Sequence, residues 1–174
     1  PWRQALVFVA TKRGADEIAD TLRMAGIAAA AFHGDAAQGI RTLVLENFKS
    51  GQLRVVVATD VAARGLDIEQ LPVVINYDLP RSAADYTHRI GRTGRAGESG
   101  IAVSFISANS EAHFRLIEKR QQQRVAREQV SGFEPQQTAP LPSSNPAAPG
   151  NGGIKGKRKS KKDKLREAAA RGES

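Results

Sequence analysis

Between Tyr86 and Gly97 the chain reads Tyr-Thr-His-Arg-Ile-Gly-Arg-Thr-Gly-Arg-Ala-Gly, so that Arg89, Arg92, Arg95, Gly91, Gly94 and Gly97 fall within nine residues. Glycine lets a backbone turn sharply and come close to a ligand. Arginine presents a planar, permanently charged fork that matches phosphate oxygens. Arg92 and Arg95 stand three apart with Gly94 between them, so both guanidinium groups can converge on one polyanion. The same spacing also suits a solvated basic turn, and Gly91 and Gly94 can be explained by backbone needs alone.

The loop has company. Thr11-Lys12-Arg13-Gly14 follows one apolar run, and His33-Gly34-Asp35 follows another, with Gln38 and Arg41 shortly after. Thr59-Asp60 follows a third, with Arg64, Gly65 and Asp67 downstream. Each has a structural alternative. Asp35 and Gln38 have the spacing of a capping box, which gives Gln38 a capping role. His33 fits a satisfied strand-end histidine, Asp60 a turn-fixing residue, and Arg64 a local partner of Asp60 or Asp67. Gly34 can again answer to the backbone.

Several elements must position these groups. Ala5 to Ala10 is a continuous apolar run, as expected for a strand buried on both faces. The helix after it has Ala15, Ile18, Ala19, Leu22 and Ala25 on one face, Asp16 and Glu17 near its positive end and Gly26 as its stop. Ile27 to Phe32 reads as a second strand. A second helix follows with Ile40, Val44 and Phe48 on one face, Leu43 beside them, and Gly51 as its stop. Leu53–Ala58, Val73–Tyr77 and Ile101–Ile106 are three more strands. Ser82 and Asp85 have capping-box spacing at the start of the short helix that delivers the arginine loop. A last helix spans about Ser110 to Arg124 and is expected to bury Ala112, Leu116 and Ile117. This alternation implies an α/β domain with a mainly parallel sheet and helices on both faces. In such sheets ligands gather beyond the carboxyl ends of the strands. Residues 8–13, 33–41, 58–67 and 78–95 all follow strand ends, so the candidate groups are expected on one rim.

Composition bounds the rest. There is no Cys, which excludes disulfides and thiolate zinc sites, and no apolar run approaches the length of a membrane span. A cytoplasmic protein is expected, with no membrane partner and no metal ligands from this chain. The net charge of +8 is uneven: residues 151–174 hold nine Lys/Arg against three acidic residues, a net +6, leaving +2 for residues 1–150. Five of the eight prolines lie in 135–149 and Gly150-Asn151-Gly152-Gly153 follows, which is linker chemistry. We therefore expect a folded domain over 1–135, a Pro/Gly-rich linker over 136–153 and a disordered basic tail over 154–174. The tail reads as an arm for nucleic acid or as a solubilising end. The chain opens at Pro1 and runs at once into a strand, as expected of a piece of a longer protein.

The run Ala5–Thr11, the His33-Gly34 plus Gln38-x-x-Arg41 pair, Ala58-Thr59-Asp60 with Ala63-Arg64-Gly65-Leu66-Asp67, and His88-Arg89-Ile90-Gly91-Arg92-Thr93-Gly94-Arg95 occur in this order. Together they resemble the second, C-terminal RecA-like domain of DEAD-box RNA helicases, over about residues 1–135. Ile117 to Pro135 resembles the end of that domain in bacterial members, with the RhlE-type subgroup as one candidate. The resemblance implies that Arg92 and Arg95 reach the γ-phosphate of ATP, whose magnesium and phosphates are held mainly by a first RecA-like domain. It implies that Asp67 contacts the ribose, with Gly65 allowing close approach. His88 and Arg89 are implied to couple the two domains. Thr11, Gly34, Gln38, Arg41 and Thr59 are implied to lie at an RNA backbone, recognised by phosphate and sugar rather than base sequence. The activity so implied is ATP-driven local unwinding of RNA.

Two motifs are missing from these 174 residues. No G-x-x-x-x-G-K-[ST] occurs, because Gly156-Lys157 continues with Arg158 and lacks the upstream glycine. No Asp-Glu-Ala-Asp occurs either, and Asp16-Glu17 is the single adjacent acidic pair. The chain alone is therefore not expected to hydrolyse ATP. Two alternatives stay open: a non-catalytic RNA-binding or regulatory module, since Gly91-Arg92-Thr93-Gly94 matches a bare G-x-x-G loop, and a DNA helicase of the wider superfamily.

Overall fold

The computed structural model describes residues 2–64, 68, 70–94 and 99–134. Among the described residues five strands alternate with five helices: β1 (Ala5–Val9), α1 (Lys12–Met24), β2 (Ala29–Phe32), α2 (Gln38–Lys49), β3 (Val55–Thr59), α3 (Asp60–Ala63), β4 (Val73–Asn76), α4 (Ala83–Ile90), β5 (Ile101–Ser104) and α5 (Glu111–Gln121). The strands form one parallel sheet in the order β2-β3-β1-β4-β5. The expected linker and tail, 136–174, fall outside the described residues.

β1 lies at the centre, and all five of its residues are buried. Its side chains alternate between two cores. Val7 and Val9 face Ala15 and Ala19 of α1, where two small residues let the helix approach closely, and Val57 joins them from β3. Leu6 and Phe8 face the opposite side, with Phe32, Val56, Ala58, Val74, Val44 and Phe48. A third cluster joins Tyr86 of α4 to Phe114 and Ile117 of α5.

Several helix details depart from the sequence reading. Asp16 and Glu17 lie beyond the first turn of α1; Asp16 faces His33 and Glu17 pairs with Arg13 at 2.7 Å. In α2, Val44 and Phe48 are buried, whereas Ile40 and Leu43 are 56% and 55% exposed. Ile40 sits in the first turn, beyond the sheet that covers the other two. α5 buries Phe114 and Ile117 while Ala112 and Leu116 are exposed, because α5 packs against α4 along one narrow stripe. Gly26 and Gly51 do end their helices, at φ of 78° and 80°, where a side chain would be strained.

Candidate functional site

The carboxyl ends of β2, β3, β1 and β4 form the rim that the topology predicts for a ligand. At the end of β1, Thr11 caps α1, its Oγ1 accepting from the Gly14 backbone N–H at 3.0 Å. A Cβ on Gly14 would lie 3.0 Å from that oxygen, so the cap and the glycine belong together. Lys12 donates to Asp35 across the rim. That hydrogen bond holds the Asp35 carboxyl below the usual carboxylate range.

The Lys12–Asp35 pair removes Asp35 from the expected capping box. α2 instead begins at Gln38, with Ala37 in the cap position and no side chain capping the first turn. An uncapped helix start presents N–H groups and a positive dipole end to an anion. Arg41 lies over the Phe32 ring at 5.1 Å and its Nη1 donates to Gln38 Oε1 at 3.3 Å, while its Nε is buried without a partner. Gln38 and Arg41 thus form one polar unit at this end. Gly34, beside them, has neither a left-handed φ nor any atom that an added Cβ would meet within 4 Å. Its backbone does not demand glycine, and the space over it is open. His33, expected as a satisfied strand-end histidine, is only half satisfied: its Nε2 lies 3.0 Å from Asp16 Oδ1 with the side chain 11% exposed, while its Nδ1 is buried without a partner.

Thr59 ends β3, nearly buried, and starts α3 without a side-chain cap bond. Asp60 does more than fix a turn. Arg89 grips it with Nε to Oδ1 at 2.6 Å and Nη2 to Oδ2 at 2.7 Å. Because Asp60 is occupied, Arg64 pairs with Asp85 at 3.3 Å rather than with Asp60. The Ser82 hydroxyl and then Arg64 hold the Asp85 carboxyl below its ordinary value. Half of the capping box expected here is present: Ser82 Oγ accepts from Asp85 N at 3.1 Å, while Asp85 Oδ2 accepts from the Ser82 hydroxyl at 2.7 Å instead of from the Ser82 backbone N–H.

Two expectations about the arginine loop change. A helix after a strand in a parallel sheet runs back toward the strand's amino end, and α4 does so. The loop after it therefore lies against Leu71, just before β4, and not on the rim: Leu71 N donates to Arg92 O at 3.0 Å and Thr93 Oγ1 donates to Leu71 O. Gly94 has a φ of 65° and so has a backbone reason to be glycine. Gly100 packs against this turn so tightly that a Cβ would overlap Thr93 Oγ1 at 1.8 Å; sequence reading missed it. His88 is exposed on the last turn of α4 and Arg92 is half-buried. Arg89, implied to couple the two domains, is only 3% exposed, and its guanidinium makes its hydrogen bonds within this one. Gly65, Asp67 and Arg95 lie outside the described residues.

Sequence reading also missed the partners of Arg89. Its Nη1 donates to Asn76 Oδ1 at 3.1 Å and to the Asp78 carbonyl at 2.6 Å, and its guanidinium stacks 4.8 Å from the Phe8 ring centre. Asp78 in turn accepts the Ala10 N–H at 2.8 Å. An asparagine inside an otherwise apolar strand was the available signal. Among the described residues no cluster of three or more His, Cys, Asp or Glu could hold a metal ion, and no helix is long and apolar enough to cross a membrane.

A five-stranded parallel sheet with these helices and this rim defines a RecA-like α/β domain. The helicase conserved C-terminal domain family matches residues 1–97, and the chain belongs to that family, in its DEAD-box branch. It is 47% identical over 123 residues to the DEAD-box ATP-dependent RNA helicase CshA of Bacillus subtilis, covering 71% of this chain and 25% of CshA. It is 45% identical over 148 residues to DEAD-box ATP-dependent RNA helicase 30 of Arabidopsis thaliana, covering 85% of this chain and 24% of the relative. The chain thus spans about a quarter of the length of these relatives. Among solved structures, the Escherichia coli DEAD-box protein SrmB, bound to regulator of ribonuclease activity A, matches with a TM-score of 0.75 and 36% identity, covering 80% of this chain and 82% of that one. A DEAD box protein from Methanococcus jannaschii matches with a TM-score of 0.66 and 45% identity over 70% of this chain and 33% of that one.

Proposed function

We propose that this domain is the C-terminal half of an ATP-dependent RNA helicase located in the cytoplasm, and that it closes with a first RecA-like domain on ATP and single-stranded RNA. The observation that carries the reading is the uncapped start of α2, where Gln38, Arg41 and the open space over Gly34 offer a phosphate a helix end and a guanidinium. Thr11 and Thr59 extend the same rim along the sheet and supply hydroxyl and backbone groups to an RNA backbone. Such contacts read shape rather than base sequence.

Arg92 and Arg95 are the proposed arginine fingers. Phosphoryl transfer needs positive charge where negative charge develops, and fingers delivered from a second domain make that charge depend on closure. Magnesium and the nucleotide phosphates would be held mainly by the first domain; Gly65 and Asp67 would meet the ribose. Exposed His88 would face the first domain. Bound ATP and magnesium supply the electrophilic phosphate, and this chain contributes orientation and charge.

The test uses the whole protein that contains this domain. Turnover of ATP should rise with single-stranded RNA and not with DNA of the same sequence. Arg92→Ala and Arg95→Ala should each lower kcat by about 10³-fold or more while RNA affinity changes little. Lys at either position should rescue poorly, because a point charge does not reproduce the fork. Arg41→Ala should show the opposite pattern, losing RNA affinity first. Stimulation by DNA would favour a DNA helicase. No ATP turnover, with RNA binding intact, would leave an RNA-binding module.

A further inference from the structure

Two large rings stand at the far end of the rim. Tyr77 and Phe105 directly follow β4 and β5, and the ladder still holds both: Tyr77 N donates to Phe8 O at 3.0 Å and Phe105 N donates to Asn76 O at 2.9 Å. Asn76 is level with Ser104, so the two rings are level as well. Alternation puts them on the face where Ile75 packs with Val7 and Val9. Despite their size they are 47% and 53% exposed. Their centroids lie 5.8 Å apart with the planes at 69°, an edge-to-face pair. Such a pair covers less π-face than a stacked one, so open ring surface remains toward solvent on a rigid sheet end.

Strand order sets what lies beside them. The strands run β2-β3-β1-β4-β5 across the sheet, and their carboxyl ends carry Gly34, Thr59, Thr11, Tyr77 and Phe105 in that order. Neighbouring strands are about 4.8 Å apart, which places the rings roughly 5 to 10 Å beyond Thr11. Asp78 ties the ends of β4 and β1 together, its carboxylate accepting the Ala10 N–H at 2.8 Å. The one acid beside Tyr77 is thus turned to the backbone, while Arg81, shortly after it, is exposed and engaged by no described residue. A polyanion that runs from α2 over Thr59 and Thr11 meets two open rings next.

We propose that Tyr77 and Phe105 form a stacking platform for an unpaired base of the RNA strand whose backbone crosses the rim. The proposal rests on the functional reading above and adds a base contact to a site otherwise built for phosphate and sugar. Every base has a π-face, so stacking holds the strand without reading its sequence. Size favours a base over a protein as the occupant. Half of two aromatic side chains is on the order of 200 Å², against about 800 Å² per partner in a stable protein interface. Ile101 is exposed too, but it stands at the amino end of β5, about 13 Å down the strand, with half-buried Val103 between.

The experiment uses the whole protein and single-stranded RNA of mixed sequence. Tyr77→Leu and Phe105→Leu keep apolar bulk and lose a π-face, whereas Tyr77→Trp keeps one. Each Leu variant should raise the Kd by about fivefold or more, and Tyr77→Trp should stay within about twofold of the wild type. A single abasic site moved along the RNA should weaken wild-type binding to a similar extent at one position. There its loss should not add to that of Tyr77→Leu, because both remove the same stack. A fluorescent purine analogue at that position should be quenched on binding the wild type and less so on binding Tyr77→Leu. If both Leu variants keep wild-type RNA affinity, or if abasic and Tyr77→Leu losses add at every position, the platform is overturned and the rings are left to a protein partner. Should a Leu variant prove unstable, the fluorescent scan of the wild type decides, and a scan with no quenched position overturns the platform equally. A wild type that binds no single-stranded RNA removes the functional reading itself, a result the ring variants alone cannot produce.

Discussion

Glu118 shows how a single carboxylate can fasten a segment. Its Oε1 accepts from Val125 N at 2.8 Å and Arg127 Nη1 at 2.9 Å, and its Oε2 accepts from Arg127 Nη2 at 2.9 Å. Arg127 first, then the Val125 amide, hold the Glu118 carboxyl down at about 2, against an ordinary 4.5. Because the folded value lies below the unfolded one, this contribution to stability is complete above about pH 4.5 and is lost as the pH falls toward about 2. Asp35, Asp85 and Glu111 are also depressed, so the wild type should lose stability to acid through several groups. The difference between wild type and Glu118→Gln isolates one. We expect urea midpoints of the two to diverge above about pH 4.5 and to converge as the pH falls through about 2. Parallel midpoint curves would show that the clasp contributes nothing. At this scale the sequence declares residue types and hides partners. Arg89 stood out as an arginine in a glycine-rich run, yet Asp60, its main partner, lies 29 positions earlier and reads locally as a turn residue.

Helix starts separate the two capping boxes that spacing alone made equivalent. Ser82-x-x-Asp85 closes on itself, whereas Asp35-x-x-Gln38 does not, because Lys12 from another loop captures Asp35 and α2 begins later. Long-range ion pairing is invisible to a local motif. The contrast predicts opposite mutational signs. Ser82→Ala should destabilise the domain by about 1 kcal/mol, the usual value of a lost cap. Ala37→Asp should stabilise it by about as much, since it satisfies open N–H groups at the start of α2. If that helix start receives an RNA phosphate, the same Ala37→Asp must weaken RNA binding by the whole protein, because a fixed carboxylate would occupy the anion position. Denaturant melts and RNA titrations on this one variant should therefore move in opposite directions. A variant that gains stability and keeps full RNA affinity would remove α2 from the RNA site.

For the molecule as a whole, the alternation of apolar runs and helical periods was enough to read a parallel α/β sheet, since a strand buried on both faces leaves a distinctive apolar run. Strand order was not legible. Nothing local places β1 between β3 and β4; that follows from where the crossovers land. The same limit misplaced the arginine loop, which sequence position grouped with the rim and the return path of α4 carries away from it. The charge distribution gives the prediction at this scale. Deleting residues 151–174, which hold nine Lys/Arg, from the whole protein should weaken RNA binding without sequence preference. It should also flatten the slope of log K against log salt by several units at most, as fewer counterions are released. An unchanged slope would assign the basic segment to solubility or to a protein partner.

Asn76 has one more effect. It is fully buried, stands level with Phe8 on one side and Ser104 on the other, donates through Nδ2 to Ser104 Oγ at 3.1 Å and accepts from Arg89. Sliding β4 by two residues would keep every apolar side chain on its proper face, so greasiness alone cannot forbid the slip. The amide does, acting as a dowel: a displaced Asn76 would leave a guanidinium and a hydroxyl unmatched in the interior. A more apolar β4, with valine at this position, would lose that key and gain a second setting, and the strand ends that make up the rim would no longer be obliged to finish level.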